Sequence, residues 1–266
     1  MNISFNRREL QLECEKQARI QQGLPEDSND FVFKDFEITS QNVNLMKICQ
    51  SHDSVSFYFN AVLTFLQAMK SLVSKSYSWS TVQMYYSVFY SCKSILGFDN
   101  IGIIRKNGLH VLRLRVGERA KRLNKDNDHE QTIKCYKNTY QNSYMMSNKI
   151  EDQYFFEWIK DAREITNYRQ QVFQEPRALD FLSNSIAYLE KKKSLCSYLD
   201  EMSSNWNLYC FQKETALIAG SYRMVVDSFS LYKNQIERIT VPEKKVIMKL
   251  VNELKIQDLN EKFIEF

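Results

Sequence analysis

Glycine and proline are scarce in this chain. Six glycines and three prolines among 266 residues fall well below the roughly 7% and 5% of average usage. So few turn-formers exclude a many-turned sandwich or barrel and a Pro/Gly-rich disordered chain. The Gly-rich phosphate loops are missing too. Neither GxxxxGK(S/T) nor GxGxxG occurs, and those spacings are what let backbone N–H groups cradle a phosphate. Histidine is limited to His52, His110 and His129, and no two of the six cysteines stand closer than fourteen residues. Without a CxxC pair there is no zinc framework. Cys14, Cys49, Cys92, Cys135, Cys196 and Cys210 read as reduced thiols of a cytoplasmic protein. Cys92 and Cys135 lie in helical patterns and are expected in the core.

A long hydrophobic run is also lacking. The most apolar charge-free stretch, Ser54 to Met69, is sixteen residues and contains Asn60, Thr64 and Gln67. A bilayer span needs roughly 18–20, so this stretch reads as a buried helix. The N-terminal text MNISFNRRELQLECEKQ is charged and has no apolar signal core. A soluble cytoplasmic protein with no membrane partner is expected.

What is present is apolar and aromatic surface, 44% and 13% of residues, enough for a sizeable core. Residues 4–22 read as a polar first helix ended by Gly23 and Pro25. Residues 31–38 are rich in β-formers and read as an edge strand or an extended arm. Val55, Tyr58, Val62, Phe65, Leu66, Met69 and Leu72 then recur at three- and four-residue steps, one face of a helix capped by Asp53 or Ser54. After a turn at 77–79, a second helix starts near Ser80 and ends at Gly97. Its stripe is Val82, Tyr85, Phe89, Cys92 and Leu96, which places Tyr85 and Phe89 in the core against the preceding helix. In 101–116 the helical period fails. Asn107-Gly108 is a strong hairpin signal, and Leu112, Leu114 and Val116 alternate with Arg113 and Arg115. The alternative is a loop followed by a helix over 109–122, with His110, Arg113 and Gly117 on one face.

Further helices are expected over about 128–145 and 151–173, from Pro176 onward, over about 206–238 with a kink at Gly220, and over 243–256. Lys191-Lys192-Lys193 reads as a solvated run. The organisation expected is an N-terminal helix and arm (1–50), a helical core (51–175) and a C-terminal helical extension packed on it (176–266). The fold class is all-α, with a small hairpin.

Two texts carry a family resemblance. YYSVFYSCKSIL, at 85–96, resembles the second helix of HEPN domains, and REITNYRQ, at 163–170, looks like the final core helix of that fold. The resemblance covers roughly 53–173. It implies a HEPN-like helical bundle and a setting in multiprotein toxin–antitoxin or antiphage defence systems. Nuclease members of that family carry an arginine followed, after four to six residues, by a histidine. Arg163 matches the arginine, but after four intervening residues the histidine position holds Tyr168. A phenol with a pKa near 10 is a poor general base at neutral pH. The resemblance therefore implies a non-catalytic subunit that docks a partner enzyme or ATPase. The alternatives are a divergent ribonuclease using Arg163 and Tyr168, and a structural helical adaptor unrelated to defence. An oligomer is compatible with each.

Charge supplies the second signal. Between positions 105 and 125 stand Arg105, Lys106, Arg113, Arg115, Arg119, Lys121, Arg122 and Lys125, opposed only by Glu118. The stretch carries +7, which leaves −3 on the rest of a chain whose net charge is +4. Such a concentration suits phosphate backbones or an acidic protein. RNA or DNA contact through these residues, or contact with a partner protein, is expected. The carboxylates show no calcium-loop spacing and no ExxH pair, and GxSxG is absent. No metal and no cofactor are expected.

Overall fold

The computed structural model describes residues 8–124, 127–169, 175, 177, 179–191 and 194–264, the side chains of 168, 169, 236 and 237 excepted. It is mostly helical, with a small antiparallel hairpin sheet, as the patterning predicts. The order is α1 (Glu9–Gln21), α2 (Val43–Val73), α3 (Tyr77–Phe98), β1 (Ile101–Arg105), β2 (Leu109–Arg113), β3 (Lys121–Arg122) and α4 (Asp128–Thr139). A two-rung ladder, β4 (Lys149–Ile150) with β5 (Gln153–Tyr154), leads into α5 (Phe155–Glu164). Then follow α6 (Ser183–Glu190), α7 (Leu195–Ser204), α8 (Trp206–Tyr209), α9 (Lys213–Tyr232) and α10 (Val241–Leu254). No helix among the described residues is long and apolar enough to cross a membrane. The chain forms two compact units, Met1–Ser56 with Lys93–Tyr136 and Phe57–Cys92 with Lys137–Phe266.

In the first unit α1 buries Leu10, Cys14 and Ala18 at four-residue steps against Phe31, Phe33, Phe36 and Ile38 of the arm and Ile104 and Leu112 of the sheet. The arm makes a short 3₁₀ turn at Phe33–Asp35 and pairs only at its end. There Gly117 N–H donates to the Ile38 carbonyl (2.8 Å), and Glu37 bridges Arg119. Asp53 does not cap its own helix, because α2 already begins at Val43. It caps α1 instead: the N–H groups of Glu9 and Leu10 donate to its two carboxylate oxygens at 2.9 and 3.1 Å. Two orphan donors at a helix N-terminus are thereby satisfied from 43 residues away. The expected end at Gly97 holds to within one residue, since α3 closes at Phe98. Gly97 itself lies within α3, where an added Cβ would fall 2.1 Å from Ser54 Oγ and 2.3 Å from Gln50 Nε2.

α2 and α3 run antiparallel, held by serines spaced seven residues apart. In the second unit Ser80 Oγ donates to the Ala68 carbonyl (2.8 Å) and Ser87 Oγ to that of Ala61 (2.9 Å). In the first, Ser94 Oγ donates to the carbonyl of Ser54 (3.0 Å). The acceptors are also seven apart, the repeat that keeps one seam of two helices in register. α3 starts at Tyr77, so the turn precedes it, with Lys75 in the left-handed region (φ 61°).

The second unit is built on aromatic contacts along α2 and α9. Phe65 stacks on Tyr222 at 5.4 Å and Tyr58 on Tyr232 at 4.7 Å. The Tyr58 hydroxyl donates to the Phe263 carbonyl. Tyr85 and Phe89 are buried, as the stripe predicts. Cys92 is buried too, whereas Cys135 is only half-buried. Several helices are shorter than their patterns suggest. The expected 128–145 helix ends at Thr139, and 151–173 holds only α5 before a wide π turn at Ile165–Arg169. Pro176, Lys192 and Lys193 lie outside the described residues, and α6 begins at Ser183.

The expected 206–238 helix is three pieces, and its break is not at Gly220. The helical angles fail at Gln235 (φ −124°), within a 3₁₀ stretch after α9. Gly220 serves packing: an added Cβ would meet Phe155 ring carbons at 2.2–2.9 Å. Because Phe155 is fully buried, Gly220→Ala should overpack this contact and cost about 1–3 kcal/mol. The urea midpoint would fall while the slope holds. An unchanged midpoint would show that the ring is free to move aside.

Candidate nucleic-acid interface

The basic stretch sits on the hairpin sheet of the first unit. β1 and β2 pair from Ile101↔Arg113 to Arg105↔Leu109, and β3 joins by Val111↔Lys121 and His110↔Arg122. Asn107 and Gly108 take positive φ (48° and 122°), which is why this dipeptide makes the turn. The helical alternative over 109–122 is therefore overturned: alternating apolar residues with a good turn outweigh the helical spacing of His110, Arg113 and Gly117. In an antiparallel pair, partners share a face and alternate residues share a side. Arg105, Arg113 and Lys121 thus lie on one face of the sheet. Arg122 lies on the other, beside His110, whose buried ring sits edge-on to Phe33 at 5.7 Å.

Alternation does not continue to Arg115. The strand closes at Arg113, the Leu114 N–H donates to the Asn100 carbonyl (2.9 Å), and the Arg115 N–H turns back to the Arg113 carbonyl (2.8 Å). Leu114 remains buried, but Val116, expected inward, is 61% exposed. Arg115 and Arg119 accordingly project from the loop between β2 and β3.

The cations divide by what they already hold. Lys106 is structural: its ammonium donates to the Asn29 carbonyl (2.6 Å) and lies 4.1 Å from the Phe31 ring centre. Arg119 forks onto Glu37 at 2.8 and 3.0 Å, and Lys121 stands 3.9 Å from Glu118. The Arg105 backbone is clasped by the Gln11 amide, while its side chain is exposed. Arg113, Arg115 and Arg122 are exposed and make no ion pair among the described residues. Lys125 lies outside the described residues.

One charged group in this unit is not signalled by its surroundings in sequence. Lys93, in the aromatic text of α3, is buried, and its ammonium lies 2.6 Å from Asp128 Oδ2 at the start of α4. Arg8 approaches the same oxygen at 3.7 Å, and the Thr132 hydroxyl donates to the other at 3.2 Å. Burial, with the nearby Arg8 charge, pushes the Lys93 pKa down to about 8 despite the attraction of Asp128. Burial also opposes ionisation of Asp128, but the Lys93 ammonium prevails and holds that carboxyl below its usual range.

In the second unit, Arg163 is half-buried near the end of α5, its guanidinium 5.0 Å from the Tyr85 ring centre. That stacking is a cation–π contact. Burial raises the Tyr85 phenol to about 12, with Arg163 opposing. The side chain of Tyr168 lies outside the described residues, as does that of Arg169. On and beside the same helix, Glu157 pairs with Lys137 and Glu164 lies 3.8 Å from Lys160. Among the described residues no three His, Cys, Asp or Glu side chains gather where they could hold a metal ion.

In comparisons with known proteins, the chain matches no family model, no curated protein and no solved structure.

Proposed function

We propose that this chain is a non-catalytic, HEPN-like subunit of a cytoplasmic bacterial assembly of the toxin–antitoxin or antiphage kind. It docks a partner enzyme or ATPase and holds nucleic acid by its phosphate backbone. The observation that carries the reading is the set of exposed arginines, Arg113, Arg115 and Arg122, that no carboxylate neutralises among the described residues. Arg105 and Lys121 flank them on the sheet. Phosphate contacts of this sort position a nucleic acid without reading its sequence. The stacking of Arg163 on Tyr85 supports a structural rather than a catalytic use of that arginine.

The test is fluorescence anisotropy with single- and double-stranded oligonucleotides over a salt series. Affinity should fall steeply with salt and vary little with sequence. Charge reversal at Arg113, Arg115 and Arg122 should weaken binding about 10- to 100-fold and flatten the log–log salt slope by roughly 2–3. Melting should hold, since exposed substitutions cost within about 0.5 kcal/mol. Arg119 belongs in the control set, because Glu37 already neutralises it. The RNA should stay intact throughout. Binding indifferent to the triple reversal would remove the interface, and RNA cleavage lost on Arg163→Ala would place the chain among the ribonucleases instead.

A further inference from the structure

The second unit contains a half-open cavity of about 490 Å³ that none of the chemistry above uses. Its volume lies in the range of small-molecule sites. Leu72, Tyr77, Ile186 and Leu195 form a buried apolar floor. The rim is charged, carrying Lys75, Lys255, Glu190 and Glu253. Both rim carboxylates already face cations: Glu190 faces Lys75 at 3.9 Å, and Glu253 faces Lys70 at 2.8 Å and Lys249 at 4.0 Å. Lys255 is exposed and makes no ion pair among the described residues.

The two rim lysines occupy unusual backbone positions. α2 ends with the Lys75 N–H donating to the Leu72 carbonyl and the Ser76 N–H to that of Ser71. α10 ends in the same way, Lys255 donating to Asn252 and Ile256 to Val251. Just beyond each helix a lysine is left-handed, with φ 61° at Lys75, two residues past Val73, and 57° at Lys255, directly after Leu254. Glycine is the usual occupant of that position because it has no Cβ to strain. Here a lysine stands at each of the two reversals that frame one cavity, so its charge is retained at a conformational cost.

We infer that the cavity binds a free aliphatic carboxylate, a fatty-acid-like anion. Its chain lies over Leu72, Ile186 and Leu195, and its carboxylate lies at the mouth on Lys255, with Lys75 beside it. Apolar walls with, among the described residues, a rim cation that makes no ion pair match that chemistry and disfavour a cationic amphiphile of equal length.

Titration calorimetry of the full chain with dodecanoate tests this, with dodecyltrimethylammonium as the charge-reversed probe. Dodecanoate should bind saturably at one site, and the cation at least about tenfold more weakly. The double variant Lys75→Gly, Lys255→Gly should weaken dodecanoate about tenfold, the loss of a charge-assisted contact. It should also melt a few degrees higher, because the left-handed strain is relieved. Weaker binding by a more stable protein cannot come from misfolding. Leu189→Trp, at the cavity wall, should abolish binding by filling it. No saturable binding, equal binding of the cation, or undiminished binding by the glycine variants would each overturn the inference.

Discussion

Replacing Phe65 by alanine should destabilise the chain by about 3–5 kcal/mol, the loss of a fully buried aromatic plus the cavity left behind. Phe65 is wholly enclosed in the second unit, on the α2 stripe. Its ring stacks 5.4 Å from Tyr222 and lies 6.2 Å from Phe263. Those elements come from the early, late and last described parts of the chain, so no single local shift can refill the space. Aromatic pairs add about 0.5–1.5 kcal/mol beyond area burial, and both pairs are lost together. A domain is stable by only about 5–15 kcal/mol, so the variant should unfold at markedly lower urea. Val116→Ala, at a residue 61% exposed, is the matched control. Equal midpoints for the two variants would show that the α2–α9 contact does not hold the unit together.

Stability should rise as the pH is raised from about 8 toward 10.5, through Lys93. The native pKa of this lysine is about 8 against an ordinary 10.5. In that interval the unfolded chain keeps the proton and the native chain has released it, so stability increases with pH. About 2.5 pKa units correspond to on the order of 3 kcal/mol. Exposure is only 4% for this side chain, so solvent screens little of it. Asp128 gives a slope of the same sign at acid pH. Its carboxyl is held low, so its contribution is present above the unfolded pKa and lost as the pH falls through the folded one. Other groups titrate in alkali as well, so the measurement is a difference. Stability of the wild type minus that of Lys93→Met should climb across this interval. Arg8, 3.7 Å from the same carboxylate in the native chain, should remain as its partner in the variant. Parallel stability curves would show that Lys93 titrates as if in water.

Much of the architecture was legible because it is local. The stripe from Val55 to Leu72 and that from Val82 to Leu96 announce two helices, and Asn107-Gly108 announces the hairpin. What stayed hidden depends on partners remote in sequence. Asp53 looks like a cap for the residues that follow it, and it serves Glu9 and Leu10 instead. Gly220 looks like a kink and Gly97 only like a stop, but their missing Cβ atoms make room for Phe155 and Ser54. The serine repeat at 80, 87 and 94 is visible in the text but means nothing until antiparallel carbonyls lie opposite it. For the basic stretch, composition located the charge correctly. It could not tell that Glu37 and Asn29 occupy two of the cations.

The bond from the Tyr58 hydroxyl to the Phe263 carbonyl joins residues 205 positions apart. Ribosomes add roughly 5–20 residues per second, so about 10–40 s separate the appearance of these two groups. During that interval the α2 stripe has emerged, but Tyr222, Tyr232 and Phe263, which cover it, have not. A nascent chain thus carries a long, sticky aromatic helix through most of its own translation. The earliest cover the chain itself supplies is pairing with α3, whose seven-residue serine repeat becomes available within a few seconds of α2.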